Sequence, residues 1–249
     1  MTNERTFPPA ATPDIVRELA PTGKLRAAIN FGNSVLAQQD PESGKPKGVS
    51  VDLAYALGYQ LQVPVELVGF DAAGKVVEAM SAGQWDIAFL AIDPRRGEDM
   101  AFTTPYLTIE GTYLVKSDSR FQEIDELDAD GVRIAVGAGA AYELFLTRNL
   151  KRAQIVRLPT AAAALQSFLE QQLDAVAGVR QVVETFAKRQ SGLRVLRGRF
   201  MSISQALAVP KERTASAAFL NHFIEAKKVD GSVAEFLKRS GESGATLAP

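Results

Sequence analysis

Cysteine is absent from this 249-residue chain, histidine occurs once, at His222, and tryptophan once, at Trp85. Without cysteine there is no thiol nucleophile, no disulfide and no thiolate metal site. One histidine excludes a multi-histidine metal centre, and a Ser-His-Asp arrangement survives only if His222 itself is catalytic. Bulk charge of either sign is missing too: 28 Lys and Arg against 29 Asp and Glu leave a formal net charge of -1. No basic excess is available for a polyanion, so nucleic acid is not an expected partner. Nothing approaches the roughly 18 uninterrupted apolar residues of a membrane span. Residues 1–9 also lack the apolar centre of a secretory signal. The expectation from that segment has two branches: a signal has been removed, or the chain is cytoplasmic.

What is present is the make-up of an ordinary folded chain, 46% hydrophobic and 23% charged. At roughly 150 residues per domain the length corresponds to about 1.7 domains, so one large unit or two modest ones. That suffices to bury a core without covalent staples. With so much chemistry counted out, a binding protein stands ahead of a catalyst.

The pattern along the chain is that of alternating strands and helices. Pro13 suits the first turn of a helix over 12–19. KLRAAIN at 24–30 reads as a short buried strand with a loop at 31–34, and the polar cluster at 40–48 as a hairpin-like excursion. Leu53, Ala54, Leu57 and Leu61 recur at helical spacing. A strand at 65–68, a helix at 75–82 and the apolar run DIAFLAI at 86–92 follow, the last as expected for a parallel strand buried on both faces. The pattern then restarts: strands at 111–115 and 132–136, a helix at 140–150, a strand at 153–158 and a helix at 160–171 with Thr160 as N-cap. A strand at 174–178, a helix to 189, a strand at 205–209, helices at 215–227 and 232–239 and a frayed tail at 242–249 complete it. The fold class is therefore α/β, two doubly wound lobes. Ligands of such sheets bind outside the carboxyl ends of the strands, and two facing lobes make a cleft that closes by hinge motion.

Several short motifs occur in a particular order. Lys24-Leu25-Arg26 opens the first strand, and Lys47-Gly48-Val49-Ser50-Val51-Asp52-Leu53 leads into a helix. Gly83-Gln84-Trp85-Asp86-Ile87 leads into a strand, and Arg96 precedes Phe102-Thr103-Thr104-Pro105-Tyr106. Gln171-Gln172-Leu173-Asp174-Ala175-Val176 and Gln205-Ala206-Leu207-Ala208-Val209-Pro210-Lys211 follow. In this order, over 23–241, the chain resembles the family-3 solute-binding proteins of bacterial ABC importers. The resemblance implies a type II periplasmic-binding-protein fold. Lobe 1 would be 13–108 plus 203–249, lobe 2 would be 112–198, and hinge strands would lie near 107–111 and 199–204. It also implies a periplasmic protein that delivers a small molecule to an ABC permease without a cofactor. A monomer is expected.

In the amino-acid binders of that family, the arginine six residues before the phenylalanine clamps the ligand's carboxylate. Here that residue is Arg96, and a guanidinium holds a carboxylate through parallel hydrogen bonds. The neighbouring Arg95 is expected to point away. Three departures matter. The segment ending at Ala91 carries no hydroxyl before the arginine; Gly139-Ala140-Ala141 replaces a Gly and two hydroxyl residues; and Val179 stands where the family's ammonium-binding aspartate belongs. Backbone N–H groups at 139–141 still offer an anion site. A buried ammonium without a partner is strongly disfavoured, so the expected ligand is a carboxylate other than a standard α-amino acid held in the usual way.

Other positions carry open alternatives. Glu110, at the first hinge crossing, either faces the cleft or is a paired hinge carboxylate. Arg180 either adds positive charge to the cleft or is an exposed helix-start residue. Asn30 and Asn33 fall where the family has a polar contact and a stacking aromatic, with Phe31 and Phe70 as alternative aromatic walls. Trp85 and Asp174 are read as structural, and His222 as remote from the cleft. Two other functions stay on the table: an enzyme like the cyclohexadienyl dehydratases, with Glu110 the sole nameable general acid, and a cytoplasmic ligand sensor.

Overall fold

A computed structural model describes residues 10–242 and 244–249, so the signal question at residues 1–9 lies outside the described residues. The first elements are α1 (Pro13–Leu19), β1 (Leu25–Asn30), β2 (Gln38–Gln39), β3 (Pro46–Lys47), α2 (Val49–Leu61), β4 (Val65–Phe70), α3 (Ala73–Ser81) and β5 (Ile87–Ala91). The middle holds β6 (Met100–Phe102), β7 (Leu107–Lys116), β8 (Arg133–Gly137), α4 (Ala141–Asn149), β9 (Gln154–Leu158) and α5 (Ala161–Glu170). The chain finishes with β10 (Ala175–Val179), α6 (Arg180–Arg189), β11 (Leu193–Val195), β12 (Met201–Pro210), α7 (Thr214–Val229), α8 (Ser232–Ser240) and β13 (Thr246–Leu247).

Local chemistry explains the boundaries. The Thr12 and Thr160 hydroxyls accept from the N–H groups of Ile15 and Ala163, capping α1 and α5. Pro13 needs no partner for its missing N–H in the first turn. One mixed sheet runs β4-β1-β5-β12-β7-β10-β8-β9 through both lobes. β1 pairs in parallel with β4 and β5, and β8 with β9 and β10. The long strands β7 and β12 run antiparallel between these two groups.

The two lobes repeat one structural device. Asp86, fully buried before β5, accepts from Arg26 N at 3.0 Å and grips the Arg26 guanidinium at 3.0 and 2.8 Å. Asp174, before β10, accepts from Arg133 N at 2.8 Å. Each carboxylate ties the start of one strand to its parallel neighbour. Trp85 is core, its indole N–H donating to Val76 O at 2.8 Å.

The tail departs from expectation. Thr246 and Leu247 pair with Thr108 and Leu107 of β7, and Ala248 N donates to Tyr106 O. Of the residues expected to fray, only Ser243 lies outside the described ones. The reason is an unfilled edge: β7 pairs through β13 along a stretch where its own hydrogen-bonding groups need partners. Among the described residues, no helix is long and apolar enough to cross a membrane.

Candidate functional site

The lobes meet in a closed arrangement. Arg148 of α4 donates to the buried Asp93, which follows β5, at 2.7 Å. Val35 and Ala91 pack into the hydrophobic cluster of the second lobe. Gly139 has φ +70°, and a Cβ built on it would stand 2.6 Å from Gly74 Cα, so backbone touches backbone across the cleft. Only a residue without a side chain fits that conformation and that approach.

Between the lobes lies a cavity of about 60 Å³, several times what one water requires. Helix starts from both lobes surround it: Ala72 and Ala73 at α3, Ala140 and Ala141 at α4, Thr160 and Ala161 at α5, and Val179 at α6. Each brings the positive end of a helix dipole, with α5 capped by its own Thr160 hydroxyl and α3, α4 and α6 without a side-chain cap. Asn30, Asn33 and Gln205, all buried, supply the amides of the lining.

Arg96 completes the positive field. It begins a single 3-10 turn after β5, is only 4% exposed, and donates to Ala91 O at 2.9 Å and Gly139 O at 2.8 Å. Its Nε, also buried, has no partner among the described residues. Desolvation lowers its pKa to about 10, opposed by Asp93 and Glu143, so the guanidinium stays charged at neutral pH. A buried charge is costly to maintain, and an anion in the cavity would offset that cost. Glu143 holds the loop behind this site: it accepts from Gly139 N at 3.2 Å and is fixed by Arg157 at 2.8 Å.

The structure brings Arg96, Asn30, Asn33, Ala91, Ala140, Ala141 and Val179 onto the cavity wall. Gly139 touches Arg96 rather than the cavity itself. Asn30 Oδ1 is engaged by Gly32 N at 2.9 Å, whereas Asn33 Oδ1 is buried and unpartnered. The remaining expected residues lie elsewhere. Phe31 and Phe70 flank an adjoining surface groove that shares Asp71 with the cavity, where the Phe31 ring fills the space a Cβ on Gly69 would need. Glu110 sits between Arg180 at 2.7 Å and Arg199 at 2.8 Å. These arginines hold its carboxyl below the usual range, against the opposing effect of burial. Arg180 is thereby used at the hinge and does not reach the cavity wall. His222 is exposed on α7, with its ring Nδ1 against Ala218 O.

Sequence reasoning missed Gln205, Thr160, Tyr142 and Asp71 as lining residues. Thr160 was readable as a cap, and a helix cap at a strand's carboxyl end is itself a pointer to the cleft. Asp71 is exposed, and Lys75 at 2.8 Å lowers its pKa. Among the described residues, no cluster of His, Asp and Glu is arranged to hold a metal.

Comparison with known proteins agrees with this geometry. The sequence pattern of the bacterial extracellular solute-binding proteins, family 3, matches residues 35–242. A cyclohexadienyl dehydratase of Pseudomonas aeruginosa is 28% identical over 157 residues, covering 61% of this chain and 58% of that enzyme. The ABC transporter arginine-binding protein 1 of Escherichia coli is 24% identical over 214 residues, covering 82% of this chain and 86% of its own. A mutant of the arginine-binding protein of T. maritima superposes with a TM-score of 0.79 at 21% identity, covering 92% of this chain and all of that one. That likeness gives the fold, a type II periplasmic-binding-protein architecture.

Proposed function

The chain belongs to the bacterial extracellular solute-binding proteins of family 3, and we propose that it captures a small carboxylate for an ABC importer. The lobes close over the ligand by bending at 107–111 and 199–204, and the closed form docks on a permease outside the cytoplasm. The observation that carries this reading is Arg96, a buried guanidinium with no carboxylate partner among the described residues, on the wall of a cavity ringed by helix N-termini. A carboxylate supplies an acceptor to Arg96 and further acceptors to the N–H groups at the start of α4. Relatives that bind amino acids support the ligand's carboxylate end. Val179, Ala140 and Ala141 argue against an ammonium end held in the same way, since none offers an acceptor side chain.

A dehydratase reading requires a general acid at the cavity. Glu110 is held ionised by two arginines and does not line the wall, and Asp71, which does, is paired with Lys75 and held below its usual pKa, which favours binding over elimination. Prephenate is expected to pass through unturned.

The test is a thermal-shift and calorimetric screen over carboxylates, with Arg96→Ala beside the wild type. Binding-linked stabilisation is expected for a carboxylate in the wild type. The variant should lose at least about 2 kcal/mol of binding, some thirtyfold in Kd. Unchanged carboxylate binding in the variant contradicts the assignment.

A further inference from the structure

We propose that the preferred ligand is a short aliphatic 2-oxo acid, its keto oxygen held by the amide nitrogen of Asn30. This rests on the carboxylate-binding reading above and adds the chemistry of the ligand's second polar group.

The cavity wall is rich in donors. Asn30, 8% exposed, has its Oδ1 taken up by Gly32 N at 2.9 Å, which fixes the amide and leaves Nδ2 as the group offered to the cavity. Asn33 Oδ1 has essentially no accessible surface, so that residue also offers its Nδ2. Arg96 can only donate, and its guanidinium folds back onto Ala91 O, at the end of β5. β1, β5 and β12 are neighbours in the sheet, so Asn30, this guanidinium and the Gln205 amide belong to strands roughly 4.8 Å apart. The uncapped start of α4 adds N–H groups from the other lobe. A 2-oxo acid carries its keto oxygen on the carbon next to the carboxylate, and so presents acceptors side by side to such a row.

Acceptor side chains on the wall are scarce. Its one carboxylate, Asp71, is exposed and paired with Lys75 at 2.8 Å, and Gln205 Oε1 is a single neutral acceptor. An ammonium, with its charge and three N–H groups, is left short of counter-charge and of acceptors. A hydroxyl must still place one hydrogen, whereas a keto oxygen places none. An unsubstituted acid leaves the Asn30 N–H without an acceptor inside a closed cavity, which is costly. The rest of the lining decides the tail. Phe89, Leu165, Val182 and Ile203 are apolar, so a second charge finds no partner among them. The confined volume, about 60 Å³, limits the chain to a few carbons.

The experiment is calorimetry on the full chain with matched series that differ only at the second carbon. These are propionate, pyruvate, L-lactate and L-alanine; butyrate, 2-oxobutyrate, 2-hydroxybutyrate and 2-aminobutyrate; isovalerate, 2-oxoisovalerate, 2-hydroxyisovalerate and L-valine. 2-Oxoglutarate tests a second carboxylate. In the series that the wild type binds most tightly, the oxo acid is expected to exceed its partners and 2-oxoglutarate by roughly tenfold or more. Asn30→Asp keeps the oxygen that Gly32 N needs and replaces only the donor. There the oxo acid should weaken at least about thirtyfold and lose its advantage over the amino member. In Asn30→Ala the oxo acid should fall to within about threefold of the unsubstituted acid, which still binds. Circular dichroism on both variants establishes that they are folded. Another member of that series, or 2-oxoglutarate, binding the wild type as tightly as the oxo acid overturns the inference. So does an oxo preference that survives in a folded Asn30 variant, and in both cases the carboxylate reading stands. If no acid of the panel binds the wild type, the carboxylate reading falls and this inference with it.

Discussion

Two arginine environments in this chain, half-buried at Arg26 and buried at Arg96, have opposite purposes, and single side chains reveal which is which. Arg26 has a full carboxylate partner: Asp86 accepts from its backbone N, its Nε and its Nη2, and Gly83 O accepts from its Nη1 at 2.7 Å. The pair joins strands. Arg96 has two carbonyls and, among the described residues, no carboxylate partner. Incompleteness is the mark of a binding group, because a fully satisfied network has no free-energy gap for a ligand to close. Glu110 belongs with Arg26. Its folded pKa lies below the ordinary 4.5 because of Arg180 and then Arg199. The stabilisation is thus present above pH 4.5 and is lost as pH falls through the lower folded value. Glu110→Gln should be less stable than wild type by about 1 kcal/mol at pH 7. In calorimetric melts that difference should shrink as pH is taken below about 4.5. A difference independent of pH would show that the hinge cluster does not act through its charge.

At the level of elements, helix starts do the recognition and glycines set how closely they meet. α3 and α4 face one another across the cleft, and Gly139 lets the loop before α4 touch the first turn of α3 at Gly74. Gly139→Ala would put a methyl 2.6 Å from Gly74 Cα in the closed form, and would strain a backbone at φ +70°. In the open form only the strain remains, about 1 kcal/mol. The variant is therefore expected to keep most of its unliganded stability yet fail to close fully. Small-angle scattering with saturating ligand should give a larger radius of gyration than wild type, and affinity should drop at least about tenfold. A variant that compacts and binds like wild type would remove the Gly74–Gly139 contact from the closure. The same element scale shows where sequence reading succeeded. The runs at 86–92 and 174–178 were legible as strands because burial on both faces leaves no alternation, only apolar residues. β13 was not, since two residues carry no period and their pairing depends on β7, far away in sequence.

Across the whole molecule, the fold was legible almost throughout while the site was legible only in part, for a physical reason. Core patterns are local and repeated, so Asp86 and Asp174 announce their strands. A cavity wall is assembled from single residues at the ends of many elements. Arg96, Asn33 and Ala141 were identifiable from position, but Gln205 and Thr160 look like ordinary strand and cap residues until the lobes are set face to face. Phe31 and Phe70 failed as cleft walls because Gly69 offers the Phe31 ring a seat on the outer groove of the first lobe. The net charge of -1 hides the decisive feature, a local positive field made by one guanidinium and backbone dipoles. That field is the central claim, and a crystal structure of the chain with its tightest-binding acid tests it most directly. The account predicts a carboxylate oxygen within about 3.2 Å of a guanidinium nitrogen of Arg96 and of an N–H in the first turn of α4. A ligand bound in this cavity with no anionic oxygen on Arg96, or with an ammonium in that place, would contradict it.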